Sequence, residues 1–159
     1  MSKPNYFYKK GELANGGWDV IVNDKLPGWK HTGTRVATLS PGKSFEIAAD
    51  KVERLIWQLE GDGIVVDYVV NDESKSQKLA GRKTVFSGPT DVLYLSIDTS
   101  IKISGSGRFI IAEAPAKNSF PDKFIPAKNV PVFNRGAGPA SRQVHNFGDP
   151  SELAADRFI

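Results

Sequence analysis

At 159 residues, 40% hydrophobic and 25% charged, the chain has the size and balance of one globular domain, which excludes a fibre or a disordered tail. Its 21 basic and 18 acidic residues leave a formal charge of +3, too mild for a surface that tracks a phosphate backbone, so nucleic acid is not expected as a partner. There is no cysteine, which excludes disulfide scaffolds, thiolate zinc sites and thiol nucleophiles and fits a reducing compartment.

The opening MSKPNYFYKK has no apolar segment of the secretory kind, and no stretch reaches the roughly 20 apolar residues of a membrane span. A cytoplasmic protein without membrane contact is expected. With 15 Gly and 10 Pro along the chain, long helices have little room. Short runs rich in β-branched and aromatic residues recur instead, about every ten residues. In chain order they are Trp18 to Val22, Thr34 to Leu39, Glu53 to Glu60, Ile64 to Val70, Thr84 to Phe86, Val92 to Ile97, Ser100 to Ser104 and Arg108 to Glu113. This is the pattern of an all-β, antiparallel barrel or sandwich over residues 14 to 115 or so.

Two hairpins are expected. Gly61-Asp62-Gly63 would turn the chain between Leu55, Trp57 and Leu59 on one strand and Ile64, Val66, Tyr68 and Val70 on the return. Asp98-Thr99 would join Leu93, Leu95 and Ile97 to Ile101 and Ile103, and Gly105-Ser106-Gly107 would turn the chain again. Leu55, Trp57, Leu59, Leu93 and Leu95 are expected in the core. Trp18 and Trp29 are read as core or interface anchors. Asp91, at a strand entrance, is expected to cap turn N–H groups, and Glu60 and Asp67 to face solvent.

From Phe120 the texture changes, with Pro121, Pro126, Pro131 and Pro139 marking an extended arm or connector and a boundary near residue 130. Asp149-Pro150-Ser151-Glu152 resembles a helix start, although Ser151 to Arg157 reads equally well as loop. Because the chain stops on apolar Phe158-Ile159, it is expected to be part of something longer.

No metal site is expected from this chain's own ligands, since its two histidines, His31 and His145, are far apart and no paired-histidine spacing exists. His31 is read as a surface residue. Polar density is highest from Arg135 to Asn146. If Ser141 to Asn146 is extended, Ser141, Gln143 and His145 share one side and Arg142, Val144 and Asn146 the other, presenting cation, amide and imidazole to an anionic or polyhydroxylated ligand. The competing reading is a solvent-exposed connector in which Arg135, Arg142 and Arg157 are balanced by Asp149, Glu152 and Asp156.

The blocks Gly16-Gly17-Trp18-Asp19, Thr32-Gly33-Thr34-Arg35-Val36-Ala37-Thr38-Leu39, Leu79-Ala80-Gly81-Arg82, Gly88-Pro89-Thr90-Asp91, Gly105-Ser106-Gly107-Arg108, and Arg135-Gly136-Ala137-Gly138 with Ser141-Arg142-Gln143-Val144-His145-Asn146 resemble the amino-terminal half of the 5-deoxy-glucuronate isomerase family of myo-inositol breakdown. The resemblance implies a cupin-type jelly-roll barrel over residues 1–130, and a crossover arm or the start of a second cupin over 131–159. It also implies aldose–ketose isomerisation of a uronate, with a divalent metal held by His and Glu of the second cupin and none here. Arg142 and His145 match family positions at the crossover, so they are the catalytic candidates, with Arg135, Arg142, Gln143 and Asn146 as substrate-binding candidates. The alternatives are a stand-alone, non-catalytic cupin that binds a sugar acid and a structural or oligomerisation domain. A homo-oligomer is expected if the arm leaves an unpaired strand edge.

Overall fold

Two long antiparallel strands organise the fold. β4 (Val52–Val70) and β7 (Ser100–Pro115) pair along most of their lengths, from Val52↔Pro115 to Val69↔Ser100, in a computed structural model that describes residues 6–158. Around them lie β1 (Val20–Val22), β2 (Gly33–Leu39), β3 (Ser44–Ile47), β5 (Glu73–Arg82), β6 (Val92–Leu95) and β8 (Lys123–Ile125). The main hydrogen-bonded path runs β1-β2-β7-β4-β6-β8, with β3 pairing β7 and β5 pairing β4. The first half of β4 and the second half of β7 thus belong to one layer, with β1, β2, β6 and β8. Their other halves belong to a second layer with β3 and β5. The path does not return on itself, so the expected closed barrel is an open sheet folded over into two layers. No α-helix occurs among the described residues, and none of their helices is long and apolar enough to cross a membrane.

The expected hairpins are not formed where the glycines suggested. Gly61-Asp62-Gly63 lies inside β4 and Gly105-Ser106-Gly107 inside β7, and the two segments face each other where both strands bend from one layer into the other. Gly61, Gly63, Gly105 and Gly107 all have positive φ, and the register slips between Gln58 and Glu60 and again between Glu60 and Gly63. Each slip inserts one extra residue in β4. Two slips restore parity, so Ile56 before the bend and Ile64, Val66 and Tyr68 after it join the same core. The true hairpin turn follows at Asn71-Asp72, where φ values of 49° and 63° over a two-residue loop give a type I′ turn between Val70 and Glu73. The segment after Asp98-Thr99 does not pair with β6 either, because β4 lies between β6 and β7. Thr84 to Phe86 is a turn, closed by Ser87 N–H to Thr84 O at 3.0 Å.

Between the layers Trp18, Ala37, Leu39, Ile56, Ile64, Val66, Leu79, Leu93, Leu95, Ile103, Phe109 and Ile111 form the main core, with Trp18 against Phe45 and Phe109 at 4.5 and 5.7 Å. Leu55 points the other way, into a second cluster with Tyr94, Ile125, Val130, Leu153 and Ala155. Trp57 and Leu59 are half-buried and not interior, with Trp57 stacked 5.0 Å from Phe147. The residues after β8 therefore return over the outside of the sheet.

Asp122, immediately before β8, ties that end of the chain's path to β4 and β5. It accepts hydrogen bonds from Tyr68 Oη at 2.8 Å and Lys75 Nζ at 2.7 Å. Burial pushes its carboxyl up, but the Lys75 and Tyr68 hydrogen bonds outweigh burial and hold it below its ordinary value of 3.8. A depressed carboxylate contributes stability above its unfolded pKa and loses it as pH falls through the folded one. Asp122→Asn is thus expected to flatten the acid limb of the stability curve below about pH 4, measured by urea denaturation at stepped pH. A variant that loses stability in parallel with wild type through that range would show that the carboxylate is not coupled to folding.

Candidate functional site

The residues between and after Pro131 and Pro139 are extended, as expected for Ser141 to Asn146, but they fold back on themselves. β9 (Val132–Arg135) and β10 (Arg142–His145) form their own two-stranded ribbon, paired Arg142↔Arg135, Gln143↔Asn134, Val144↔Phe133 and His145↔Val132. A 3₁₀ turn over Gly138–Ala140 closes it, and Asn146 N donates to Pro131 O at 2.9 Å at its open end. The expected extended arm is thus a hairpin. Its register sets the two arginines directly opposite each other.

Arg135 lies over the Phe133 ring at 5.0 Å, and Arg142 Nη1 reaches its neighbour Ala140 O at 3.3 Å. Both are exposed, and neither makes an ion pair among the described residues. Of the carboxylates expected to balance them, Asp149 and Asp156 are engaged elsewhere, Asp156 with Arg157 Nε at 3.9 Å among others. Asp149 accepts from Ser151 and from Asn146 Nδ2, and Asp156 accepts from Lys117 N and Asn118 Nδ2. Those hydrogen bonds hold the Asp149 and Asp156 carboxyls below the usual range. His145 Nε2 and Gln143 Oε1 lie 2.9 Å apart, so an Nε2–H donates to the amide oxygen and the imidazole is oriented with Nδ1 as its basic atom. The hairpin sets Arg135 and Arg142 on one face of the ribbon and Gln143 and His145 on the other, while Asn146 is turned toward Asp149.

Three charged residues that the chain pattern did not single out are buried in the main sheet. Glu53 is fully buried and accepts Tyr94 Oη at 2.9 Å, Asp156 N at 3.0 Å and Arg157 N at 2.6 Å, so it fastens the C-terminal segment to β4. Burial, then the bond to Glu53, pushes the Tyr94 hydroxyl above its ordinary value. One residue on and facing inward, Arg54 donates from Nε to Glu113 at 3.2 Å and from Nη2 to Asp50 at 2.6 Å, and Arg35 Nε donates to both Glu113 oxygens at 3.0 and 2.9 Å. Charges at consecutive positions inside an apolar run were the visible signal for Glu53 and Arg54. Asp91 accepts backbone N–H groups, but from Ala80 in β5 and Ala127 after β8, each at 2.8 Å, and not from its own turn as expected.

Whether the interior can hold a metal is decided by its donors. Aliphatic and aromatic side chains fill it, and among the described residues no three His, Cys, Asp or Glu side chains converge. The donor set a divalent ion needs does not fit this layer pair.

A family model described as KduI/IolB family matches residues 6–159. Proteins named 5-deoxy-glucuronate isomerase are similar to this chain. That of Bacillus velezensis is 31% identical over 82% of this chain and 48% of its own length, and that of Shouchella clausii 33% identical over 82% and 48%. The chain spans about half the length of the curated relatives it matches. An IolB-like protein from Salmonella typhimurium superposes with a TM-score of 0.77 at 26% identity, covering 89% of this chain and 54% of that one. Bacillus subtilis oxalate decarboxylase, at a TM-score of 0.52 and 14% identity, shares the fold alone.

Proposed function

The chain belongs to the KduI/IolB family, and from that premise we propose that it is the amino-terminal cupin portion of an aldose–ketose isomerase acting on 5-deoxy-glucuronate or a closely similar uronate. The observation that carries the reading is the pair of guanidiniums, free of ion pairs among the described residues, that the β9–β10 register sets opposite each other on one face of the ribbon, in a chain of this family. Residues 131–159 form the crossover to a second cupin, which is where the divalent metal belongs, since the donors of this one do not fit it. In this reading the chain alone is inactive in the cytoplasm. The open edges of the hairpin are completed by the second cupin or by another copy.

Within that role Arg142 holds the substrate carboxylate in a charge-assisted fork, with Arg135 adding positive charge across the ribbon. His145 lies on the opposite face of the ribbon with Nε2–H fixed on Gln143, and its Nδ1 serves the proton that moves between the carbons of the aldose and the ketose only for a substrate that reaches round to that face. Gln143 is a positioning residue.

In a protein carrying both cupins, Arg142→Ala should raise KM for the uronate, and His145→Ala should lower kcat by on the order of 100-fold. Both changes should leave stability within about 1 kcal/mol, because the positions are exposed or half-buried. Normal turnover in both variants would make the hairpin a connector. Turnover by the 159-residue chain alone would overturn the half-enzyme reading in favour of an independent cupin enzyme, and tight sugar-acid binding without turnover in any form would favour a non-catalytic binder.

A further inference from the structure

We propose that this cupin carries a second, separate receptor for a small hydroxylated monocarboxylate such as a sugar acid, centred on Arg35 at the end of the main core. Arg35 is immobilised on two sides. Its Nε donates to both Glu113 oxygens, and its guanidinium carbon sits 5.6 Å from the centre of the Trp18 ring. Glu113 is itself held by buried Arg54, which is satisfied by Asp50, Val52 O and Thr99 O. Neither Nη of Arg35 has a hydrogen-bond partner among the described residues, and the side chain is 20% exposed.

A guanidinium fixed along one edge and stacked on one face, with its outer donors free, is preorganised for a carboxylate and loses little entropy on binding it. The cleft it lines holds about 360 Å³, of the order of a small-molecule site, and is walled by Asn23, Lys25, Thr32, Asp50 and Lys51. Asp50 uses one oxygen for Arg54 and leaves the other without a partner among the described residues, an acceptor for a ligand hydroxyl. Thr32 and Asn23 supply further hydroxyl and amide groups. Asp24, Asp50 and Glu113 on the same wall oppose a dianion, which favours a monocarboxylate over phosphate. The inference does not rest on the isomerase reading, because it concerns binding to this cupin by residues outside the hairpin.

Titration of the chain with D-glucuronate, followed by amide NMR shifts and tryptophan fluorescence, should give saturable changes around residues 32–35 and at Trp18. Acetate should bind more weakly, and glucose and inorganic phosphate should produce no saturable change. Arg35→Lys keeps the charge and loses the fork, so it should weaken glucuronate binding at least about tenfold. Asp50→Asn keeps an oxygen for Arg54 and should weaken glucuronate while sparing acetate, which decides the matter should Arg35→Lys fail to fold. Shifts confined to residues 135–146, no saturable change near Arg35, or affinity that survives whichever of the two variants folds would overturn the proposal.

Discussion

Glu53→Ala is expected to cost about 3–5 kcal/mol in urea denaturation. Glu53 is fully buried and is the acceptor for one phenol and two backbone N–H groups that come from residues more than 100 positions away in sequence. Removing it orphans all three donors at once, and a buried unpaired donor costs about 1–3 kcal/mol. The loss should be local as well as global. Amides of residues 147–158, which cover Leu55 and Trp57 through Phe147, Leu153 and Ala155, should exchange faster than those of Ile56 or Ile111. Glu53→Gln keeps one carbonyl acceptor and should fall between the two. Uniform exchange along the chain, or a loss under about 1 kcal/mol, would mean that the C-terminal segment does not depend on this carboxylate.

The second large effect is expected at the bend. A Cβ on Gly107 would sit 2.2 Å from Glu60 O and 2.6 Å from both Gly61 Cα and Gln58 Nε2, at φ +104°. No rotamer relieves a clash with backbone, and the φ itself is one that side chains rarely adopt. Strain and forced separation of β4 from β7 together put Gly107→Ala at about 3–5 kcal/mol. Gly42→Ala is the control, with φ +78° and nothing within 4 Å, so it isolates the conformational part at about 1 kcal/mol. Equal losses at the two sites would show that the bend tolerates a side chain and that the close approach of the two long strands is not required.

The same glycines explain what was and was not legible in the chain. Alternation marked most of the strands of the core, and Leu93, Leu95, Ile101 and Ile111 lie buried in the runs where it placed them, but in the run Glu53 to Glu60 it chose the wrong face, since Ile56 and not Leu55, Trp57 and Leu59 enters the main core. Glycine alone, however, does not say whether a chain reverses or bends through, since both need positive φ. Gly61 to Gly63 and Gly105 to Gly107 are read as turns in isolation and become a shared corner only when β4 and β7 lie side by side. β5 was hidden because its Ser, Lys and Gln residues carry no apolar period, and it is a strand by virtue of its pairing with β4. The polar density from Arg135 to Asn146 was visible, but that Arg135 would face Arg142 depended on the ribbon register.

The sequence by itself determined the β class, the absence of thiol chemistry and the residues by which the family is recognised, because composition, period and motif are properties of neighbours along the chain. Only the tertiary structure decided that Glu53 would hold residues 156 and 157, that Arg35, Glu113 and Arg54 would form one buried charge ladder, and that Arg35 would be left with free donors. These are pairings across roughly 60 to 100 residues. A buried charge is tolerated only where such a distant partner arrives, and no local pattern encodes which partner that will be.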